Sequence, residues 1–206
     1  MSSKPLSTNA KSSNKQPFLT DVKTLRNRAR QHIADGAVTQ GYGGDTKTAV
    51  RVLNAALATE LVCVLRYKRH YFMARGIHSG TVAAEFQEHA GEEQEHADRI
   101  ADRIVQLGGE PDFAPDGLSA RSHSEYVEGG TLIDMIKEDL VAERIAVDSY
   151  REMIAYFSAF DPTTRKMLEE ITATEEEHAD DLADLLENLP KDLTKEPRRR
   201  TTSRAA

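Results

Sequence analysis

Four long stretches of this sequence carry an apolar residue at every third or fourth position, the period of a helix with one face against a core. They run from Thr46 to Arg75, Val82 to Leu107, Thr131 to Phe157 and Thr163 to Leu189. A helix of this size is about 40 Å long. Short connections join the first two and the last two, whereas residues 108–130 form a long link. This order predicts an all-α four-helix bundle with a long crossover between helices 2 and 3.

Ionisable residues interrupt the apolar stripes near their midpoints, where an isolated ionised carboxylate would cost several kcal/mol. In one helix, a partly wet seam would explain such a residue. Here the pattern repeats, since a Glu is followed 33 or 32 residues later by Glu-x-x-His in each half of the chain. The six residues in this pattern are Glu60, Glu93, His96, Glu143, Glu175 and His178.

The chemistry of these six side chains suits two metal ions. Four carboxylates balance two divalent cations, and neutral imidazoles add ligands without adding charge. Oxygen and nitrogen ligands without thiolate suit iron or manganese and do not exclude zinc. The repeat selects Glu93 over Glu92, because the position that matches Glu92 is Thr174 in the second half. The single cysteine, Cys63, leaves no internal disulfide or Cys-x-x-Cys site and reads as a small buried residue.

From about Val50 to Leu189 the chain resembles the bacterioferritins and the bacterioferritin-like Dps-like proteins of the ferritin-like superfamily. The stretches that carry the resemblance are residues 53–62, 92–99, 139–143 and 175–178. The resemblance implies a di-iron ferroxidase centre built from the six residues, with Glu93 and Glu175 in the bridging positions. It also implies that Tyr67, one heptad after Glu60, lies beside the iron pair.

Three departures from the family pattern shape the expectations. Gln94 stands where bacterioferritins have the methionine that ligates haem, so haem is not expected. Pro190 and a polar tail leave no room for the short fifth helix that lines an assembly axis. Classical Dps proteins build their iron site across a dimer interface, whereas this chain has the set within one bundle. By this analogy we expect a homo-oligomeric cage, with 12 subunits favoured over 24.

Three further residues lie near the six in the predicted stripes. His89 lies on the same stripe as His96 and would either pass iron or protons toward a cavity or be a satisfied core histidine. Tyr67 and Tyr150 would be core aromatic residues whose hydroxyls support ligating carboxylates.

The flanks of the bundle differ from it in charge. Residues 1–17 carry +3 and residues 191–206 carry +4, so with a net charge of −7 the middle carries −14. We expect two disordered basic tails around an N-terminal segment (18–45) and the bundle (46–190). Within that segment, Phe18 to Asp35 reads as a helix opened by Thr20 and stopped at Gly36, followed by a loop. The tails would be solubilising or would bind DNA weakly.

The sequence shows no apolar leader and no run of 18 apolar residues, which predicts a cytoplasmic protein without a membrane segment. Our functional hypothesis is an iron-storage and detoxification ferroxidase that oxidises Fe(II) with O2 or H2O2 and stores ferric mineral in a cage. The alternatives are a non-cage di-metal oxidoreductase of the peroxidase or catalase type, and a DNA-protecting protein that uses the basic tails.

Overall fold

The computed structural model describes residues 20–75 and 79–189. Within these ranges the chain is helical and contains no β-strand. Six α-helices follow one another: α1 (Val22–Arg28), α2 (Thr46–Met73), α3 (Ser79–Gln106), α4 (Leu118–Arg121), α5 (Leu132–Phe157) and α6 (Pro162–Asn188). A short 3-10 helix, Ile33–Asp35, lies between α1 and α2. The predicted all-α four-helix bundle is confirmed.

The four long helices pack as two hairpins, α2 against α3 and α5 against α6, and the hairpins meet through α2 with α5 and α3 with α6. Apolar side chains fill both ends of the bundle. One cluster includes Leu53, Ile104 and Phe157, and the other includes Phe86 and Leu182. Because the start of α2 shares a cluster with the end of α5, these two helices run antiparallel. The ionisable stripe residues lie between the two clusters.

The helix boundaries follow from capping residues that the sequence carries. The side chain of Asp45 accepts a hydrogen bond from Thr48 N at the start of α2, and Thr131 forms a capping box with Asp134 at the start of α5. Gly108 ends α3 with a φ of 77°, a left-handed conformation that glycine adopts without strain. The boundaries of the four long helices fall within two residues of the predicted ones, except that α3 begins at Ser79, three residues before Val82.

The long crossover between α3 and α5 lies along α2 and is tied to it by polar side chains. Asn54 donates to Glu110 O (3.0 Å), Thr59 accepts from His123 N (2.9 Å), and Arg66 donates to Glu125 O (2.9 Å). These bonds satisfy backbone groups that the irregular segment would otherwise leave unpaired. They give the long crossover a structural role along α2.

The prediction of one helix from Phe18 to Asp35 is wrong for the described part of that segment. The helix begins after Asp21, whose side chain accepts from Thr24 N at 3.0 Å, and not at Thr20. It ends after seven residues, and the 3-10 turn begins only after His32 takes a φ of 51°. No residue of α1 is buried, so no core contact favours a longer helix.

Among the described residues, α2 is the one helix that is long and apolar enough, by length and composition alone, to cross a membrane. More than half of that window, 56%, is buried inside the bundle, as expected for a core helix. The tails (1–17 and 191–206), Pro190 and most of the α2–α3 turn lie outside the described residues, so the predictions made for them are not tested here.

Candidate metal centre

The structure brings the six predicted residues together at mid-length of the bundle. Glu60 comes from α2, Glu143 from α5, and each of α3 and α6 supplies a Glu and a His one turn apart. All six are buried, and no side chain among them is more than 5% exposed. Each lies on the face of its helix that also carries the apolar core, which is why the helical period places it inside.

The ligand atoms form two groups that share two members. Glu60 and His96 meet Glu93 and Glu175 in one group, and Glu143 and His178 meet the same two carboxylates in the other. Within each group the candidate ligand atoms all lie within 4.8 Å of one another. Glu93 and Glu175 therefore occupy the positions in which a carboxylate could bridge two ions.

Individual distances also suit metal ligands. His96 Nδ1 lies 2.9 Å from Glu175 Oε1 and 3.4 Å from Glu60 Oε2, without hydrogen-bond geometry to either. Two ligand atoms bound to one ion at about 2.1 Å stand roughly 3.0–3.4 Å apart in octahedral or tetrahedral geometry. The atoms around His96 already have that spacing.

Unpaired polar atoms test whether a metal fits this site. Among the described residues, ten buried side-chain nitrogen and oxygen atoms lack a hydrogen-bond partner, and seven belong to the six residues. They are Glu60 Oε2, Glu93 Oε1, His96 Nδ1, Glu143 Oε2, both carboxylate oxygens of Glu175, and His178 Nδ1. At about 1–3 kcal/mol each, such atoms would cost an amount comparable with the whole stability of a domain. All seven are ligand atoms, so cations between them would remove that cost.

The protonation of the centre reflects four carboxylates crowded out of water. Burial, together with the charges of Glu93 and Glu143, raises the pKa of Glu175 well above its usual value. Burial also raises the pKa of Glu93, with the charge of Glu143 adding to the effect. Burial opposes ionisation of Glu143 too, but the polar neighbours of its carboxylate, His178 first, lower its pKa to about 2. The metal-free centre therefore holds protons on some carboxylates.

The two histidines respond in opposite directions. Burial lowers the pKa of His96. Burial would do the same to His178, but the carboxylates of Glu143, Glu175 and Glu93 around its ring raise its pKa well above the usual value. Without metal, His178 thus carries the positive charge that a cation would otherwise supply.

Three further side chains hold these residues in place. The hydroxyl of Tyr67 donates to Glu143, and that of Tyr150 donates to Glu60, so both tyrosines contact carboxylates as their positions suggested. His178 Nε2 lies 2.8 Å from Glu92 Oε2. With Nε2–H donated to Glu92, the His178 ring turns its Nδ1 toward the centre. The repeat excluded Glu92 as a ligand, but it gave no sign of this supporting contact.

A second buried polar group near the centre was missed by the sequence analysis. Asp139 is fully buried and lies 2.8 Å from Arg66 Nε and 2.7 Å from His70 Nδ1. The predicted apolar stripe of α5 includes Leu140, which is only partly buried, and the sequence analysis gave the neighbouring Asp139 no role in the core. The sequence did contain a signal for this group, because Arg66 and His70 lie one turn apart on α2, and both are buried.

The structure also places Cys63 and Gln94, two residues that the sequence analysis discussed. Cys63 is buried, as predicted, and burial raises the pKa of its thiol. Gln94, at the position of the haem-ligating methionine, donates to Asp98 at 3.0 Å. Its amide is thus held on the surface of α3.

A four-helix bundle with Glu-x-x-His on two helices and a Glu on each of the others is the arrangement of ferritin-like carboxylate proteins. A family model described as "Ferritin-like domain" matches residues 50–192. The chain belongs to this family.

Individual relatives agree with that assignment. The chain is 32% identical over 143 residues to bacterioferritin BfrA of Mycobacterium tuberculosis, covering 69% of this chain and 86% of the relative. It is 30% identical over 137 residues to a nutrient stress-induced DNA-binding protein of Synechococcus, covering 65% of this chain and 78% of that relative. A solved dodecameric thioferritin, the bacterioferritin-related protein of Bacteroides fragilis, matches with a TM-score of 0.67 and 32% identity, over 73% of this chain and 88% of that one.

Proposed function

We propose that this protein is a ferroxidase of the iron-storage type. Its substrate is Fe(II), bound in pairs by Glu60, Glu93, His96, Glu143, Glu175 and His178. The observation that carries the proposal is the set of seven unpaired ligand atoms, buried together and drawn from these six residues. The match to a bacterioferritin over most of its length supports iron as the metal.

The reaction needs an external oxidant. Two Fe(II) ions each lose one electron, and with two protons these electrons reduce O2 to H2O2 or H2O2 to water. Ferric product is then stored as mineral.

The protein's own residues bind and orient the substrate. Glu93 and Glu175 face both halves of the site and hold the two ions close together, while each histidine binds through Nδ1. Tyr67 and Tyr150 fix one oxygen of Glu143 and Glu60 and leave the other free to bind metal. The four carboxylates offset the charge of two divalent ions, and burial keeps bulk water away.

Storage requires a shell of subunits. The thioferritin relative is described as dodecameric, which supports the smaller of the two shells expected from the sequence. Mass photometry of the full chain checks this point. A peak near twelve chain masses supports the dodecamer. A peak near twenty-four chain masses would instead indicate the larger shell, and a peak near two would contradict the proposal that the protein stores iron.

Protection of DNA is a second candidate function. A Synechococcus relative named as DNA-binding and the positive charge of both tails favour it. Both tails lie outside the described residues, so weak, salt-sensitive DNA binding remains a prediction from charge alone.

Iron oxidation kinetics test the main proposal. We expect the Glu93→Ala/Glu175→Ala variant to lose the fast phase of Fe(II) oxidation by air or peroxide. The matched control is Glu95→Ala/Glu177→Ala, which removes the same charge from exposed positions of the same two helices. The control should oxidise iron at the wild-type rate, and light scattering should then report mineral growth. A wild-type fast phase in the first variant would refute the assignment.

A further inference from the structure

A separate group of potential ligands lies beside the metal centre, between α3 and α6. His89 Nε2 is 3.4 Å from Glu85 Oε1 and 3.9 Å from Asp181 Oδ2. One candidate ligand atom from each of the three residues lies within 4.8 Å of the others. None of the three is among the six residues of the centre, although the His89 ring stacks on His178 with centroids 4.0 Å apart.

Hydrogen bonding fixes which nitrogen of His89 carries a proton. Tyr67 has a single hydroxyl proton, and it donates that proton to Glu143. His89 Nδ1 lies 3.2 Å from the same hydroxyl oxygen, so Nδ1 is the donor in this contact. In the neutral ring, Nε2 is then an unprotonated acceptor.

This tautomer creates a conflict that a cation would resolve. The histidine side chain is 2% exposed, and its Nε2 lone pair faces two carboxylates, which when ionised are also acceptors only. With the ring neutral and both carboxylates ionised, three electron-pair donors therefore converge.

We propose that Glu85, His89 and Asp181 bind a further divalent cation, one per chain, through His89 Nε2 and one oxygen of each carboxylate. A ligand set of one imidazole and two carboxylates suits Fe(II), Co(II), Zn(II) or Mn(II). The 3.4 Å distance already matches the roughly 3.0–3.4 Å between neighbouring ligands of one ion, and the 3.9 Å distance would have to shorten by about 0.5 Å to reach that range.

The surroundings indicate an exchangeable site. The side chains of Glu85 and Asp181 are 26% and 46% exposed, so water completes the coordination and the ion reaches the site from solvent. Glu88 and Glu92 lie near Glu85 and, with Asp181, add negative charge. Glu92 also contacts His178, so an ion bound here lies next to the paired site rather than remote from it.

The test counts ions in metal-stripped full-length protein equilibrated with CoCl2 alone, using dialysis and elemental analysis. We expect about three Co(II) per chain in the wild type and about two in Asp181→Asn. The matched control is Asp180→Asn, an exposed neighbour with the same change in charge, which should keep about three. Glu85→Gln is a second variant that removes a ligand from another helix and should behave like Asp181→Asn.

The outcomes separate this site from the paired centre. Equal Co(II) stoichiometry and affinity in the wild type, Asp181→Asn and Glu85→Gln would overturn the additional site and leave the proposed function intact. In Glu93→Ala/Glu175→Ala we expect about one Co(II) to remain, and Asp181→Asn in that background should remove it. If the double variant binds as many ions as the wild type, the paired centre is refuted instead.

Discussion

Replacing Glu175 by Leu should stabilise the metal-free protein and at the same time abolish most of its stabilisation by metal. Glu175 is fully buried, and neither of its carboxylate oxygens has a hydrogen-bond partner. Burial and the charges of Glu93 and Glu143 raise its pKa, which means that its ionised form is disfavoured in the empty centre. A leucine of similar size removes the unpaired oxygens and the repulsion together.

The magnitude follows from the cost of buried polar groups that lack partners. That cost is about 1–3 kcal/mol for one such group, so the free energy of unfolding should rise by about that amount. For a chain of this size, each kcal/mol raises Tm by about 2–4 °C, which gives a gain of about 2–12 °C. A metal ion at 100 times its Kd adds about 2.7 kcal/mol to the wild type, or about 5–11 °C. Most of this second gain should be missing in Glu175→Leu.

Thermal unfolding followed by circular dichroism, with and without Co(II), measures both effects. Glu177→Leu is the matched control, because it makes the same replacement at an exposed position two residues along α6. The control should melt close to the wild type and keep the full gain with Co(II). A metal-free Glu175→Leu that melts several degrees below the wild type, or one that gains as much from Co(II), would refute the reasoning.

Three further predictions address protons, haem and the buried ion pair. Because the pKa of Glu175 and of Glu93 is raised in the folded state, metal-free stability should fall as pH rises from the unfolded value of about 4.5 toward the folded pKa values. Metal binding should release protons, so the calorimetric heat of binding should differ between buffers of different ionisation enthalpy. Equal heats of binding would contradict this. With Gln94 in place of a methionine, added haem should give no stoichiometric Soret band, whereas a band lost on mutating a methionine would contradict the prediction. Asp139→Asn should destabilise by about 3–5 kcal/mol by leaving the buried charge of Arg66 without an ionised partner. A urea midpoint equal to that of the exposed control Asp148→Asn would refute this.

The helical period predicted the bundle and the six central residues because both depend on the same signal. A Glu at position 60 or 93 is placed by the stripe that also places Leu53 and Ile100 in the core. The repeat then separates Glu93 from Glu92. Short-range patterns of this kind predict the structure because the helices that carry them, α2, α3, α5 and α6, are long and continuous.

The features that the sequence did not predict depend on contacts between distant segments. Arg66 and Asp139 are 73 residues apart, and Glu92 and His178 are 86 apart, so no local pattern links them. The N-terminal helix was predicted too long because its bounds were taken from Thr20 and Gly36, whereas no residue of α1 has a core to pack against. The contact of His89 with Tyr67 spans 22 residues and depends on how α2 and α3 are aligned.

The central claim is that the six residues hold two metal ions between them. Anomalous diffraction at the iron edge from crystals soaked anaerobically with Fe(II) tests it most directly. We predict two iron peaks per chain in the centre, both within about 2.0–2.2 Å of oxygens of Glu93 and Glu175, with His96 Nδ1 on one and His178 Nδ1 on the other. A single central peak, or iron bound without Glu93 and Glu175, would contradict the claim.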